Sequence, residues 1–237
     1  MDLAKKYDLV VIEDNAHGLF GKYKGKMLGA IGHMATQSFH ETKNITCGEG
    51  GALIINDTSY TERAEVIREK GTNRAKFFRG EIDKYSWCDK GSSYVMSDIL
   101  AAFLYGQLLH STEIQQSRER LWKTYNQQLG NWAAENNVQM PTVPDYCDQA
   151  YHMFYMIMPS LEQRTRFIKY LRDNEICAVF HYLPLHNSDM GKKLGGENAS
   201  CPVSIDVSDR LVRMPFYNDM QEDEVQRVIN VVKSFYD

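Results

Sequence analysis

Lys43 stands in the run Ser38-Phe39-His40-Glu41-Thr42-Lys43-Asn44, after a short apolar stretch and just before the glycine-rich Cys47-Gly48-Glu49-Gly50-Gly51. An amine held beside a buried strand loses hydration. That disfavours its charged form and lowers its pKa toward the range where a free amine attacks a carbonyl to form a Schiff base. Asp14 lies 29 residues earlier, at the end of the apolar run Leu9-Val10-Val11-Ile12. An acid so placed is what pyridoxal 5'-phosphate requires: it keeps the pyridine nitrogen protonated, so that the ring accepts electrons from a carbanion at the substrate carbon. His17 would then lie near the ring and its phenolic oxygen. Each residue taken alone also has an ordinary reading, as a solvated loop lysine, a cap or turn acid and a loop histidine.

Two later groups carry polar chemistry. His181, Tyr182 and His186 follow an apolar stretch; their spacing admits a metal, but two histidines five apart with no regularly spaced cysteine or carboxylate make a poor zinc set, and a plain polar loop is the alternative. Phe77-Phe78-Arg79, with Tyr85 and Trp87, offers stacking surface for a base and a cation for pyrophosphate, or equally a core or interface role.

These groups need a scaffold. The short apolar run at 9–12 reads as a strand buried on both faces whose carboxyl end opens onto a polar site. Glycines at 18, 21, 25, 29 and 32 imply a turn-rich excursion with a hairpin at 22–26. Residues 35–39 and 51–55 read as further strands. Ser59 and Glu62 have capping-box spacing and predict a helix over about 60–70; Ser97 and Asp98 cap a strongly apolar helix, followed by a more polar one to about Trp132 that links two domains. Beyond Pro141 and Pro144 the pattern becomes strand (152–158), helix (160–174), strand (176–180), loop and two helices ending near Tyr236. The expected division is 1–112, the end of a cofactor-binding large domain, and 113–237, a linking helix and a smaller α/β domain.

With 237 residues and 43% hydrophobic positions, the chain has the composition of an ordinary globular protein. Roughly 70–75% of the extended-chain surface should be buried on folding, so neither disulfides nor metal is needed for a core. A net charge of −4 argues against nucleic acid as partner. Five widely spaced cysteines without a C-x-x-C pair point to a reducing cytoplasm, and no apolar run reaches the 18 residues of a membrane span.

Three separated segments, Val11-Ile12-Glu13-Asp14-Asn15-Ala16-His17-Gly18, Ser38 through Gly51, and His181-Tyr182-Leu183-Pro184-Leu185-His186, resemble the DegT/DnrJ/StrS sugar-nucleotide aminotransferases in wording, order and spacing. The similarity runs from residue 2 to the end. It implies an α/β fold-type I pyridoxal phosphate-dependent transferase (aspartate aminotransferase-like), here a partial large domain with a mixed sheet plus the smaller C-terminal α/β domain. It also implies that Lys43 bonds the cofactor and shuttles protons, that Asp14 pairs with the pyridine nitrogen, that His17 contacts the ring and that Ser38 donates to the phosphate. Ser93 matches a position that reaches the phosphate across a dimer interface and is Asn in many relatives. His181, Tyr182 and His186 match the segment that faces the nucleotide-sugar in relatives, and His40 and Arg79 are further candidates for substrate binding. The reaction implied is amino transfer from glutamate to C4 of a dTDP-linked 4-keto-6-deoxyhexose, by a homodimer, without metal, nucleic acid or membrane.

Relatives in this family begin well before the Asp14 strand, with a helix start that grips the phosphate and an aromatic ring that stacks on the cofactor. The expectation is therefore an incomplete chain that binds cofactor weakly and turns over little. A non-catalytic remnant, or a subunit awaiting a partner that supplies the missing half, is the competing class. Another pyridoxal enzyme of the same fold, such as a desulfurase or aldolase, is disfavoured by the 181–186 segment.

Overall fold

The computed structural model describes residues 1–236, with Glu197 as backbone only. The chain forms two compact units: Met1–Ile114 with Asp145–His152, and Gln115–Pro144 with Met153–Asp237. Residues 145–152, grouped by sequence with the second domain, thus belong to the first unit.

The first unit opens with α1 (Asp2–Tyr7) and β1 (Ile12–Asp14), followed by the hairpin of β2 (Lys22–Tyr23) and β3 (Lys26–Met27), then β4 (Met34–Ser38) and β5 (Gly51–Ile55). Lys24 and Gly25 both take positive φ, 49° and 77°, which is the turn a two-residue hairpin needs to match strand twist. The main sheet has order β1-β4-β5, with β1 and β4 parallel and β4 and β5 antiparallel, a mixed sheet as expected. The first strand differs from its expectation. It starts at Ile12 rather than Leu9, and Leu9, Val10 and Ile12 are exposed in the described chain. The backbone at Val11 is instead occupied by His33: its N–H donates to His33 Nδ1, and its carbonyl accepts from the His33 N–H, 2.9 Å each. An edge strand paired on one side only does not bury an apolar run on both faces.

α2 (Thr61–Arg68) and α3 (Arg74–Phe78) follow, then α4 (Asp98–Leu109). The Ser59–Glu62 capping box does not form. Asp57 accepts from the Ser59 N–H at 3.0 Å and caps a short 3-10 turn ahead of α2, because its carboxylate stands at the first free N–H. Ser97 does cap α4, accepting from the Leu100 N–H. The chain passes to the second unit along α5 (Ser111–Glu135), and β6 (Cys147–Asp148) returns to pair with β2.

The second unit has an antiparallel sheet, order β7-β9-β8, from β7 (Tyr155–Ile157), β8 (Val179–Phe180) and β9 (Leu211–Arg213). Its helices are α6 (Leu161–Asp173), α7 (Asp189–Lys193), α8 (Pro202–Arg210) and α9 (Glu222–Lys233). Val225, Val228, Ile229 and Val232 recur at helical spacing along α9 and are buried, with Phe167 and Leu171 of α6 and Tyr125 and Leu129 of α5 in the same unit's core. β9 was not foreseen, since three residues between two helices carry no periodic signal. Among the described residues no helix is long and apolar enough to cross a membrane.

Candidate active site

The lysine sits on the connection between β4 and β5. The antiparallel register continues past the strands: Phe39 N–H donates to Gly50 O at 2.8 Å, Cys47 N–H to Phe39 O at 2.9 Å and Glu41 N–H to Gly48 O at 2.8 Å. The tip closes with Lys43 N–H to His40 O at 2.9 Å. Its underside is apolar. Phe39, Ile45 and Cys47 are buried and pack against Leu19, Phe20, Met96 and Leu100. The loop that carries Lys43 is thereby a packed structure rather than a free excursion.

Glu13 and Asp14 are adjacent on β1, and a strand sends adjacent side chains to opposite faces. Glu13 turns to the 29–32 backbone and accepts three N–H groups, from Gly29 at 2.8 Å, Ile31 at 2.7 Å and Gly32 at 2.6 Å. Burial alone would raise its pKa; the three donors outweigh that and hold it below the ordinary carboxylate value. Asp14 is exposed on the other side, with Oδ1 accepting from the Ala16 N–H at 3.2 Å. Its charge reaches Lys43. Burial pulls the Lys43 pKa below that of a free lysine, while Asp14 opposes the fall.

Lys43, Ser38 and His17 line one pocket together with Gln37, Asn44 and His152. The His17 ring stacks on His152, with centroids 4.1 Å apart and planes 22° from parallel. His152 Nδ1 lies 2.8 Å from Asn44 Oδ1, and Asn44 Nδ2 donates to Ala150 O at 2.6 Å. With the amide oriented by Ala150, the His152 Nδ1–H is the donor to Asn44. Asn44 and His152 escaped sequence reading: 108 positions separate them, and His152 looked like the first residue of a strand. The pairing of Tyr151-His152 with an apolar run was the one visible cue.

The remaining predicted residues divide. His40, beside the pocket in sequence, turns Nδ1 to Thr42 Oγ1 at 3.1 Å and Nε2 toward Glu49 at 3.7 Å. Arg79 is held by Glu65 at 2.8 Å and Glu81 at 2.6 Å, which raise its pKa, and it does not line the lysine pocket. Ser93 is exposed and bridges Glu69 through backbone. His181, Tyr182 and His186 all lie in the second unit. Among the described residues, His181 Nδ1 and His186 Nε2 are buried without a hydrogen-bond partner. Among the described residues there is no group of three or more metal-ligating side chains.

The pocket's donor set fits pyridoxal phosphate: a half-buried amine of lowered basicity, a carboxylate within electrostatic reach, a hydroxyl on Ser38 and a flat imidazole pair. On an α/β scaffold with a mixed sheet, this is a donor set that a pyridoxal phosphate-dependent transferase of fold-type I would use. The sequence model of the DegT/DnrJ/EryC1/StrS aminotransferase family matches residues 1–233, and the chain belongs to that family. It is 32% identical to the uncharacterized protein MJ1066 of Methanocaldococcus jannaschii over 241 residues, covering 98% of this chain and 61% of that one. It is 30% identical to the dTDP-3-amino-3,6-dideoxy-alpha-D-galactopyranose transaminase of Aneurinibacillus thermoaerophilus over 235 residues, 98% of this chain and 60% of the relative. The crystal structure of a DegT DnrJ EryC1 StrS aminotransferase from Brucella abortus superposes with a TM-score of 0.83 at 26% identity, covering 99% of this chain and 59% of that one. The chain spans about three-fifths of the length of the curated relatives it matches.

Proposed function

We propose that the chain supplies the lysine side of a pyridoxal phosphate-dependent transaminase acting on a nucleotide-linked keto sugar, with glutamate as donor. Bound pyridoxal phosphate supplies the electron sink at the reacting carbon. Lys43 Nζ would hold the cofactor, and the free amine would take and return the proton at the substrate carbon. A lowered pKa leaves more of that amine unprotonated at neutral pH, the form needed for both duties. Asp14 keeps the pyridine nitrogen charged, His17 packs on the ring, and Ser38 donates its hydroxyl to the phosphate. Ser93 completes the phosphate contacts in a homodimer. His40, Arg79, His181, Tyr182 and His186 serve the nucleotide-sugar.

For the sugar we propose a dTDP-linked 4-keto-6-deoxyhexose aminated at C4, in surface-polysaccharide synthesis. The relatives' names include 3-amino and 4-amino sugars on dTDP and UDP, so family membership alone does not choose among them. The choice rests on the wording of the three motifs, which most resembles the dTDP-4-amino-4,6-dideoxygalactose transaminase of enterobacterial common antigen synthesis. The five free cysteines support a cytoplasmic site of action.

The observation that carries the reading is that Lys43, Ser38 and His17 line one pocket. The test is reductive trapping. The 237-residue chain is mixed with millimolar pyridoxal phosphate, then reduced with borohydride, with and without prior glutamate. The expected result is a pyridoxyl group on Lys43 that glutamate diminishes, with the dTDP-4-keto sugar restoring it in place of a UDP-sugar. Label scattered over surface lysines, indifferent to glutamate, would overturn it.

A further inference from the structure

Residues 145–152 lie in the first unit, although the chain on both sides of them belongs to the second. This strap is pinned at both ends. Near its start, Lys24 N–H donates to Tyr146 O at 2.8 Å and β6 pairs with β2. At its finish stands Asn44, the residue after Lys43, which is only 3% exposed. Both polar ends of its amide meet the strap: Nδ2 donates to Ala150 O at 2.6 Å, and Oδ1 accepts from His152 Nδ1 at 2.8 Å. Tyr151, between those two partners, takes φ 49°, in the left-handed region that a bulky residue occupies only where its surroundings hold it there. The turn matters, because an extended residue would carry the chain on by about 3.3 Å and separate the 150 carbonyl from the 152 side chain.

The strained residue thus stands where two groups converge on Asn44. On its other side Lys43 is tied only locally, N–H to His40 O at 2.9 Å, and one such turn does not by itself aim a side chain. The buried Asn44 and the fully buried Ile45 that follow fix the backbone from which the Lys43 side chain leaves. We propose that Asn44 is a positioning residue for Lys43, and that the left-handed Tyr151 sets its clamp by presenting the Ala150 carbonyl and the His152 imidazole together. The clamp keeps the amine in the pocket that Ser38 and His17 line, where burial lowers its basicity. A loop freed from it admits water, which restores the charged form and returns the amine toward the pKa of an ordinary lysine. The clamp stands on this geometry; that the amine it aims serves amino transfer rests on the transaminase reading.

The experiment omits the cofactor. Amine reactivity against pH is measured for every lysine of the whole chain in the parent, Asn44→Leu, Tyr151→Val and Tyr151→Gly, with a thermal melt showing that each is folded. Glycine takes the left-handed conformation freely and a β-branched valine resists it, so the Tyr151 variants lose the same phenol and differ in the backbone they allow. In Asn44→Leu and Tyr151→Val the Lys43 midpoint should rise to that of the exposed Lys5 and Lys26, while Tyr151→Gly keeps the parent's. Should Asn44→Leu fail to fold, the Tyr151 pair decides. The proposal is overturned if folded Asn44→Leu or folded Tyr151→Val keeps the parent midpoint, or if Tyr151→Gly moves it to that of the exposed lysines. Borohydride trapping at Lys43 in the parent tests the transaminase reading by itself: it can fail while the midpoint still answers to Asn44, and succeed while it does not.

Discussion

The Nδ1 of His152 sits 2.8 Å from Asn44 Oδ1 while its ring stacks on His17 at 4.1 Å, so one imidazole ties the residue next to Lys43 to the histidine expected at the cofactor ring. Replacing His152 by alanine removes a hydrogen bond and a stacking contact and leaves the Asn44 carbonyl unsatisfied, a loss of about 2 kcal/mol. Denaturant unfolding reads that loss. His152→Gln, which can still donate to Asn44, should recover part of it and should trap pyridoxal phosphate at Lys43 faster than His152→Ala. Equal trapping in the two variants would separate His152 from the lysine loop.

Glu13 and Asp14 should behave as opposites. Glu13→Gln leaves backbone donors at 29–32 without a charged acceptor and should cost about 3 kcal/mol, whereas Asp14→Asn on the exposed face should scarcely move stability and should weaken pyridoxal phosphate retention. The pH dependence follows from the lowered Glu13 pKa. Its stabilising effect is complete above the unfolded value of 4.5 and is lost as pH falls through the lower folded value. Urea midpoints from pH 7 to pH 3 should therefore drop more steeply in the parent than in Glu13→Gln.

Gly18 should tolerate no side chain. A Cβ there would stand 2.0 Å from Asn15 Oδ1, and Asn15 is the buried amide that donates to Gln37 Oε1 at 2.9 Å and lies beneath the His17 turn. Gly18→Ala should cost on the order of 2 kcal/mol through loss of that pair. Gly106→Ala, within α4 and with nothing inside 4 Å of its Cβ, should instead stabilise by about 0.5–1 kcal/mol. Thermal melts of the two variants should move in opposite directions.

Much of this arrangement is written locally. Ser97 and Ser160 cap α4 and α6 because each places a hydroxyl just ahead of an apolar helical pattern, and Lys24-Gly25 turns because glycine tolerates the needed φ. Lys43 and Asp14 were legible as types and spacing. What escaped depends on long-range pairing. β9 exists only because β7 and β8 flank it. Asp57 displaced Ser59 as a cap by one turn of geometry. Residues 145–152 return to the first unit through β6 pairing with β2 and through the Asn44 contacts with Ala150 and His152, none of which leaves a periodic trace. Tyr151 drew no notice because a left-handed φ is visible only once the chain is folded.

The most direct measurement is the reactivity of each lysine amine against pH, by competitive labelling with trace acetic anhydride and peptide mapping. Lys43 should titrate below the exposed lysines, because burial lowers its pKa, and in Asp14→Asn it should fall further, because the opposing charge is gone. A Lys43 profile that coincides with those of Lys5 and Lys26 and does not respond to Asp14→Asn would contradict the account.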